Sequence, residues 1–242
     1  MSARGLTPED YIRARRLLVR RDPVLAAAIR QIGPCGLASR QRDDHLTALV
    51  SAIVSQQLSI HAAATIFGRL LDLFPDRRIP DAAAIGRIDD QTLRGVGFSG
   101  QKVRYVRDLC ARIADGSLRL DELDLLPDEE VIGRLTAVKG FGRWTAEMFL
   151  MFRLHRPDVL PVDDLGILRA VQRLYRLRAR PKAARVLKLG EAWRPYRSVA
   201  CWYLWQTLKI SSPIATPAAT SVRASARAAR SRPRSRRASL AR

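Results

Sequence analysis

Apolar residues along this chain recur almost everywhere at helical spacing and almost nowhere in strict alternation. The clearest stripe is Val103, Val106, Leu109, Cys110 and Ile113, inside an amphipathic segment from Lys102 to Ala114. Near the start, Thr7, Pro8, Glu9 and Asp10 open a basic helix over 9–19, with proline close to the first helical position. Pro23 starts a short helix toward Gln31, and 33–40 is a Gly/Pro/Ser loop. His45 to Val54 is apolar on a helical period, Ser55 to Ser59 interrupts it, and helix resumes from Ile60 to Leu73. Pro80 and Asp81 start another short helix, and Asp89, Asp90 and Gln91 precede Leu93 before Gly95, Gly97 and Gly100 break the chain. Pro127 and three acids open a helix through Leu135; further helices follow over 143–154, 164–175, 181–190 and 198–207. Val159 to Val162 contains a proline and reads as an extended connector. The pattern predicts an all-α fold of about ten helices joined by short connections.

Charge adds a partner class. The 242 residues carry a formal net charge of +20, which favours a polyanion, nucleic acid before membrane. Residues 211–242 hold eight arginines and no acid, so the first 210 residues still carry +12 (+20 less 8). After Ile210 the composition turns to Ser, Pro, Ala, Thr and Arg with no apolar period, which predicts a disordered tail over 211–242. It reads equally as a basic arm for nonspecific DNA contact and as a dispensable extension.

Cys35, Cys110 and Cys201 are odd in number and far apart, which gives neither a disulfide framework nor a CxxC metal pattern. Three thiols cannot supply four-cysteine iron–sulfur ligation within one chain. They are expected as free buried thiols in a reducing cytoplasm. No run of 18 apolar residues and no apolar leader segment occurs, so no membrane association is expected.

Two short segments carry candidate chemistry. Leu135 to Met148 reads as helix end, glycine turn and helix start. Gly140 and Gly142 permit backbone geometry closed to other residues, and their N–H groups with the following helix N-terminus can cradle a phosphate. Arg143 adds charge at the rim, and Thr145 and Ala146 allow close helix packing. Such hairpins also occur as plain structural turns. Fifteen residues after Met148, Asp163 and Asp164 precede an apolar helix. Asp163 reads as its N-cap and Asp164 as a first-turn acid favoured by the helix dipole. Two capping acids are a common structural feature, and a reactive carboxylate is the alternative.

Trp193, Trp202 and Trp205 cluster with Tyr196 and Tyr203, which fits a C-terminal helix packed on the core. Arg94 and Lys102 read either as phosphate contacts or as ordinary surface charge.

Five stretches together resemble the helix–hairpin–helix DNA glycosylases, especially the DNA-3-methyladenine glycosylase II group. They are Leu49 to Ser59, Leu93 to Ser99 with Lys102, Val138 to Ala146, Leu160 to Asp164, and Trp193 to Ser198 followed by Trp202 and Trp205. They span about 45–207 in the family's order. The resemblance implies a two-lobed helical core over 1–210, with a middle lobe of about 45–154 and a second lobe from 1–44 plus 155–210. It implies the compact form without an N-terminal α/β domain. Asp164 would be the catalytic carboxylate and Asp163 the structural one. Trp144, Trp205, Met148 and Leu165 would line the base pocket, the last two at places where the best-known relative has tyrosines. Gln57, with Leu58 as second choice, would be the wedge that fills the hole left by a flipped nucleotide. Gly140, Gly142, Arg143 and Thr145 would hold DNA phosphate, and the carbonyls of Thr136, Val138 and Gly140 would hold a Na+ or K+ ion. Catalysis would need no cofactor. Trp144 stands where members with lyase activity carry lysine, which implies a monofunctional enzyme. The implied substrate is double-stranded DNA bearing alkylated purines such as 3-methyladenine or 7-methylguanine. A monomer is expected, cytoplasmic or, in a bacterium, nucleoid-associated.

Overall fold

The computed structural model of the chain describes residues 5–37, 44–210 and 214. The tail predicted to be disordered, apart from Ile214, lies outside these residues. Among the described residues there are twelve α-helices and no strand: α1 Pro8–Arg21, α2 Pro23–Ile32, α3 His45–Ser55, α4 Ile60–Leu71, α5 Ala82–Gly86, α6 Asp90–Gly95, α7 Gly100–Ala114, α8 Asp128–Thr136, α9 Arg143–Phe152, α10 Leu165–Leu174, α11 Ala183–Gly190 and α12 Arg197–Thr207. Short 3-10 turns cover Pro75–Arg77, Leu120–Glu122 and Glu191–Trp193. The all-helical expectation holds, with more and shorter helices than periodicity resolves. The five- and six-residue helices α5 and α6 are too short to show a period, and only their capping residues Asp81 and Asp89 mark them.

Capping chemistry explains most boundaries. Thr7 and Asp10 form a reciprocal capping box at α1, the Asp10 carboxylate accepting the Thr7 N–H at 3.0 Å. Asp22 ends α1 and caps α2, accepting the N–H groups of Val24 and Leu25 at 3.0 Å each. The buried Asp22 also accepts the Trp193 indole N–H at 2.8 Å and the Tyr175 hydroxyl. One carboxylate thereby ties the α1–α2 corner to the end of α10 and to the turn before α12. Ser59, Asp89 and Ser99 cap α4, α6 and α7 in the same way.

Two packing neighbourhoods result. Helices α1, α2, α10 and α12 contact one another, with Trp193 and Tyr203 buried among them. Helices α3, α5 and α6 pack on α7, α4 and α9 contact α3, and α8 and α9 lie side by side. Arg156, almost fully buried after α9, donates through Nη2 to the carbonyls of Asp124 at 3.0 Å and Leu126 at 2.9 Å. It satisfies the irregular stretch that leads into α8. Val159 to Val162 runs extended without sheet partners and delivers the chain to α10.

All three cysteines are free and buried. Burial pushes the Cys35 thiol up to about 12 and Cys110 to about 11, and raises Cys201 as well, so none is a ready nucleophile. No helix of the described residues is long and apolar enough to cross a membrane.

Candidate active site

The site grows from the meeting of two helix N-termini. Helix α8 ends at Thr136, the chain turns through Val138 to Gly142, and α9 departs at Arg143. Gly140 sits at φ +84, and an added Cβ would overlap the Tyr105 ring, so a glycine is required there on both counts. Gly142 has an ordinary φ and open space around it. Its service is different: as N-cap it supplies no side-chain oxygen, which leaves the first-turn N–H groups of α9 without a side-chain cap. A phosphate can take that role.

Arg143 is already engaged. Its guanidinium binds both oxygens of Glu129, at 3.0 and 2.6 Å, and donates from Nε to Glu147 at 3.2 Å. The hydrogen bond from Arg143 holds the Glu129 carboxyl below its usual range, whereas burial raises Glu147. A phosphate would have to compete with two carboxylates for this side chain. Thr145 is half-buried in the first turn of α9.

The second N-terminus belongs to α10, and here the structure corrects the sequence. The N-cap is Asp164, not Asp163: the Asp164 Oδ1 accepts the Ile167 N–H at 2.7 Å. Asp163 is exposed and lies one residue before the helix. The cap carboxylate is also the one the aromatics surround. The Trp144 indole N–H donates to Oδ2 at 2.8 Å, and the Trp205 indole N–H donates to Oδ1 at 2.9 Å. Three N–H donors and the positive end of α10 therefore converge on one carboxylate. Trp144 is about 50% exposed, so the carboxylate lies at an open face rather than in the core.

Trp205 is fixed from two sides. It stacks on Phe152, with ring centroids 5.6 Å apart and planes 26° apart. Gly166 makes room for it, since a Cβ there would lie 2.9 Å from the indole Nε1. Met148 is half-buried and lines a cavity of about 360 Å³ between α9 and α3, with Thr145, Phe152, Ser51, Ala52 and Ser55 around it. Phe152 joins this cavity to Trp205 and so to Asp164. Leu165 is exposed beside Asp164. Phe152 and Gly166 escaped the sequence reading. The only signal for Gly166 was a glycine in an otherwise apolar helix start, and for Phe152 there was none.

The amide-rich interruption is a tight turn between α3 and α4. Gln57 occupies the left-handed region at φ +58 and is exposed, and Leu58 beside it is partly exposed. Ile60, the first residue of α4, is 92% exposed, which is unusual for isoleucine and had no sequence signal. Gln56 turns the other way, donating from Nε2 to the Gly140 carbonyl at 2.8 Å. Lys102 does not serve as a phosphate contact: it is buried and donates to the Val54 carbonyl at 2.6 Å, and burial lowers its pKa. A lysine that reaches the end of α3 satisfies a terminal carbonyl and complements the helix dipole. Arg94 is exposed near Gly100.

Two of the three hairpin carbonyls expected to hold a cation each accept one hydrogen bond. The Val138 oxygen accepts the Phe141 N–H at 3.1 Å, and the Gly140 oxygen accepts the Gln56 amide. A cation on Gly140 would take the second lone pair of that oxygen, beside the Gln56 amide. Among the described residues no group of three His, Cys, Asp or Glu side chains could hold a metal ion.

Comparison with known proteins turns this geometry into a family. Residues 50–195, which include the wedge turn, the hairpin and Asp164, match the HhH-GPD superfamily base excision DNA repair protein family. The chain belongs to the HhH-GPD superfamily. A curated relative, DNA-3-methyladenine glycosylase 1 of Schizosaccharomyces pombe, is 37% identical over 174 residues, which are 72% of this chain and 76% of the relative. Among solved structures, the Schizosaccharomyces pombe 3-methyladenine DNA glycosylase in complex with abasic DNA superposes with a TM-score of 0.72 at 33% identity, covering 82% of this chain and 98% of that one. A DNA-3-methyladenine glycosidase from Bacillus halodurans superposes with a TM-score of 0.70 at 38% identity, covering 79% and 87%. The resemblance read from five stretches of sequence is borne out, and with it the HhH-GPD fold.

Proposed function

We propose that this HhH-GPD protein is a monofunctional DNA glycosylase that excises alkylated purines from double-stranded DNA. The observation that carries the reading is the Asp164 carboxylate, which caps α10 and is held by the indole N–H groups of Trp144 and Trp205. The relatives named as 3-methyladenine glycosylases support the choice of substrate.

The chemistry follows from charge. Alkylation of a ring nitrogen makes the purine cationic, so the electron-rich faces of Trp144 and Trp205 attract it once it has flipped out of the stack. When the C1′–N bond breaks, the bonding pair leaves with the base and neutralises it. Positive charge then develops on the sugar. The Asp164 carboxylate stabilises that charge and orients the water that attacks C1′. The water passes a proton to the Asp164 carboxylate as the new C–O bond forms, Asp164 gives it up to solvent, and the products are the free base and an abasic site. Gln57 fills the vacated space in the duplex, with Leu58 and the exposed Ile60 as its apolar shoulders. The uncapped N-terminus of α9, with Gly140, Gly142 and Thr145, holds backbone phosphate, and Arg143 joins only by giving up Glu129.

The hairpin presents an indole beside Asp164 rather than an amine, and Lys102 is committed to Val54. A Schiff-base route to strand cleavage would need an amine where this chain has the Trp144 indole. The test is to incubate the protein with methylated duplex DNA and to follow both free bases and strand integrity. Release of 3-methyladenine with strands intact until alkali treatment is the predicted outcome. Strand breaks without alkali would contradict the monofunctional reading, and no release of any methylated base would contradict the glycosylase reading.

A further inference from the structure

The proposed enzyme leaves Gln56 without a duty, yet among the described residues this side chain makes a hydrogen bond that joins the wedge turn to the hairpin. Gln56 ends α3, and its neighbour Gln57 carries the left-handed φ that aims the wedge outward. Its amide donates to the carbonyl of Gly140, 84 residues away. Only the NH₂ end of the amide can serve here, because a carbonyl is solely an acceptor.

Both partners are referenced to α7. Lys102 donates to Val54 at the end of α3, the ring of Tyr105 packs on Gly140, and Asp108 accepts the Lys139 backbone N–H at 2.9 Å. These three α7 residues are spaced three apart along one helix. The chain of contacts therefore closes a ring: α3, α7, hairpin, Gln56 and back to α3. In an open arrangement the turn holding Gln57 would hinge about the end of α3. The Gln56 bond removes that freedom.

We infer that Gln56 is a positioning residue that locks the wedge to the hairpin, so that gripping the DNA backbone and inserting Gln57 occur in one fixed register. The inference rests on the proposed glycosylase reading for its consequence, though the lock itself is a property of the free protein. It also explains why the Gly140 oxygen faces an amide rather than standing open.

The test compares wild type with Gln56→Met, which keeps length and removes the hydrogen-bonding amide, and with Gln56→Glu, which keeps shape and donates only when protonated. Gln56 is partly exposed, so both variants should fold. Three readouts are needed: hydrogen exchange over 55–59, affinity for undamaged duplex, and fluorescence of 2-aminopurine placed beside a tetrahydrofuran abasic analogue. In Gln56→Met, exchange over the turn should speed up and wedge insertion should fall by about 3- to 10-fold, the worth of one neutral hydrogen bond. Affinity for undamaged duplex should stay within about 2-fold of wild type. Gln56→Glu should match Gln56→Met at pH 8 and recover toward wild type as the pH is lowered and the acid regains its proton. Equal exchange and equal insertion in wild type and Gln56→Met would overturn the inference. So would an affinity loss for undamaged duplex as large as the loss of insertion, which would make Gln56 a simple DNA contact. If wild type releases no methylated base while exchange and insertion still respond to Gln56, the lock stands and the glycosylase reading falls.

Discussion

At the scale of single residues, one carboxylate carries two burdens. Asp164 caps α10 and, in the proposed mechanism, meets the developing sugar cation. The sequence made the acidic pair visible but divided the duties wrongly, because two adjacent aspartates before a helix differ only by where the helix begins, and that boundary shifts by a residue or two. The indole donors were not legible at all: spacing marked Trp144 and Trp205 as aromatic, but side-chain direction is decided by tertiary contacts such as Phe152 and the bare Cα of Gly166. Gly166→Ala should therefore displace Trp205 from Asp164. Base release should fall by about 10-fold or more while thermal unfolding moves little, which single-turnover kinetics and a melting curve would check together. Gln57→Gly separates backbone from side chain at the wedge. The left-handed φ costs a glutamine on the order of 1 kcal/mol, so the variant should be no less stable, yet it should excise poorly from duplex DNA. Undiminished excision by this variant would move the wedge to Leu58.

At the scale of elements, the hairpin and the turn matter through what pins them. Helix existence was legible wherever a stripe ran two turns or more, as in α7, and wherever a cap stood before it, as with Ser59 and Ser99. What the pattern could not show was partnership across the fold. Lys102 looked like a surface cation on a basic protein, and instead it closes the end of α3. Gly140→Ala combines a disfavoured φ with overlap on Tyr105, so the hairpin would have to rebuild. DNA binding should fall along with base release, in contrast to Gly166→Ala, and a gel-shift titration against undamaged duplex would separate the two. Arg156→Ala strands buried carbonyls before α8, and about 2–4 kcal/mol of stability should be lost in denaturant unfolding, with the hairpin's own residues untouched.

At the scale of the whole molecule, charge and titration set the working conditions. A net charge of +20 predicts that affinity for duplex DNA falls steeply with salt, as counterion release requires, while excision of bound substrate changes far less. His45 adds a pH signature. Burial, then the nearby Arg153, depresses its pKa below 6.5, although its bond to Asp124 at 2.8 Å acts in the other direction. Folding thus favours the neutral ring. That contribution is complete above the unfolded value of 6.5 and is lost as the pH falls below it. Melting temperature should drop between about pH 7 and pH 5, and His45→Gln should flatten part of that slope. The single most direct measurement is release of 3-methyladenine from methylated duplex DNA by the wild-type protein and by Asp164→Asn, with binding to an abasic duplex measured alongside. Release by the wild type, reduced about 100-fold or more in the variant while binding persists, is the predicted result. Equal release by both would contradict the role of Asp164, and tight binding without release by either would contradict catalysis itself.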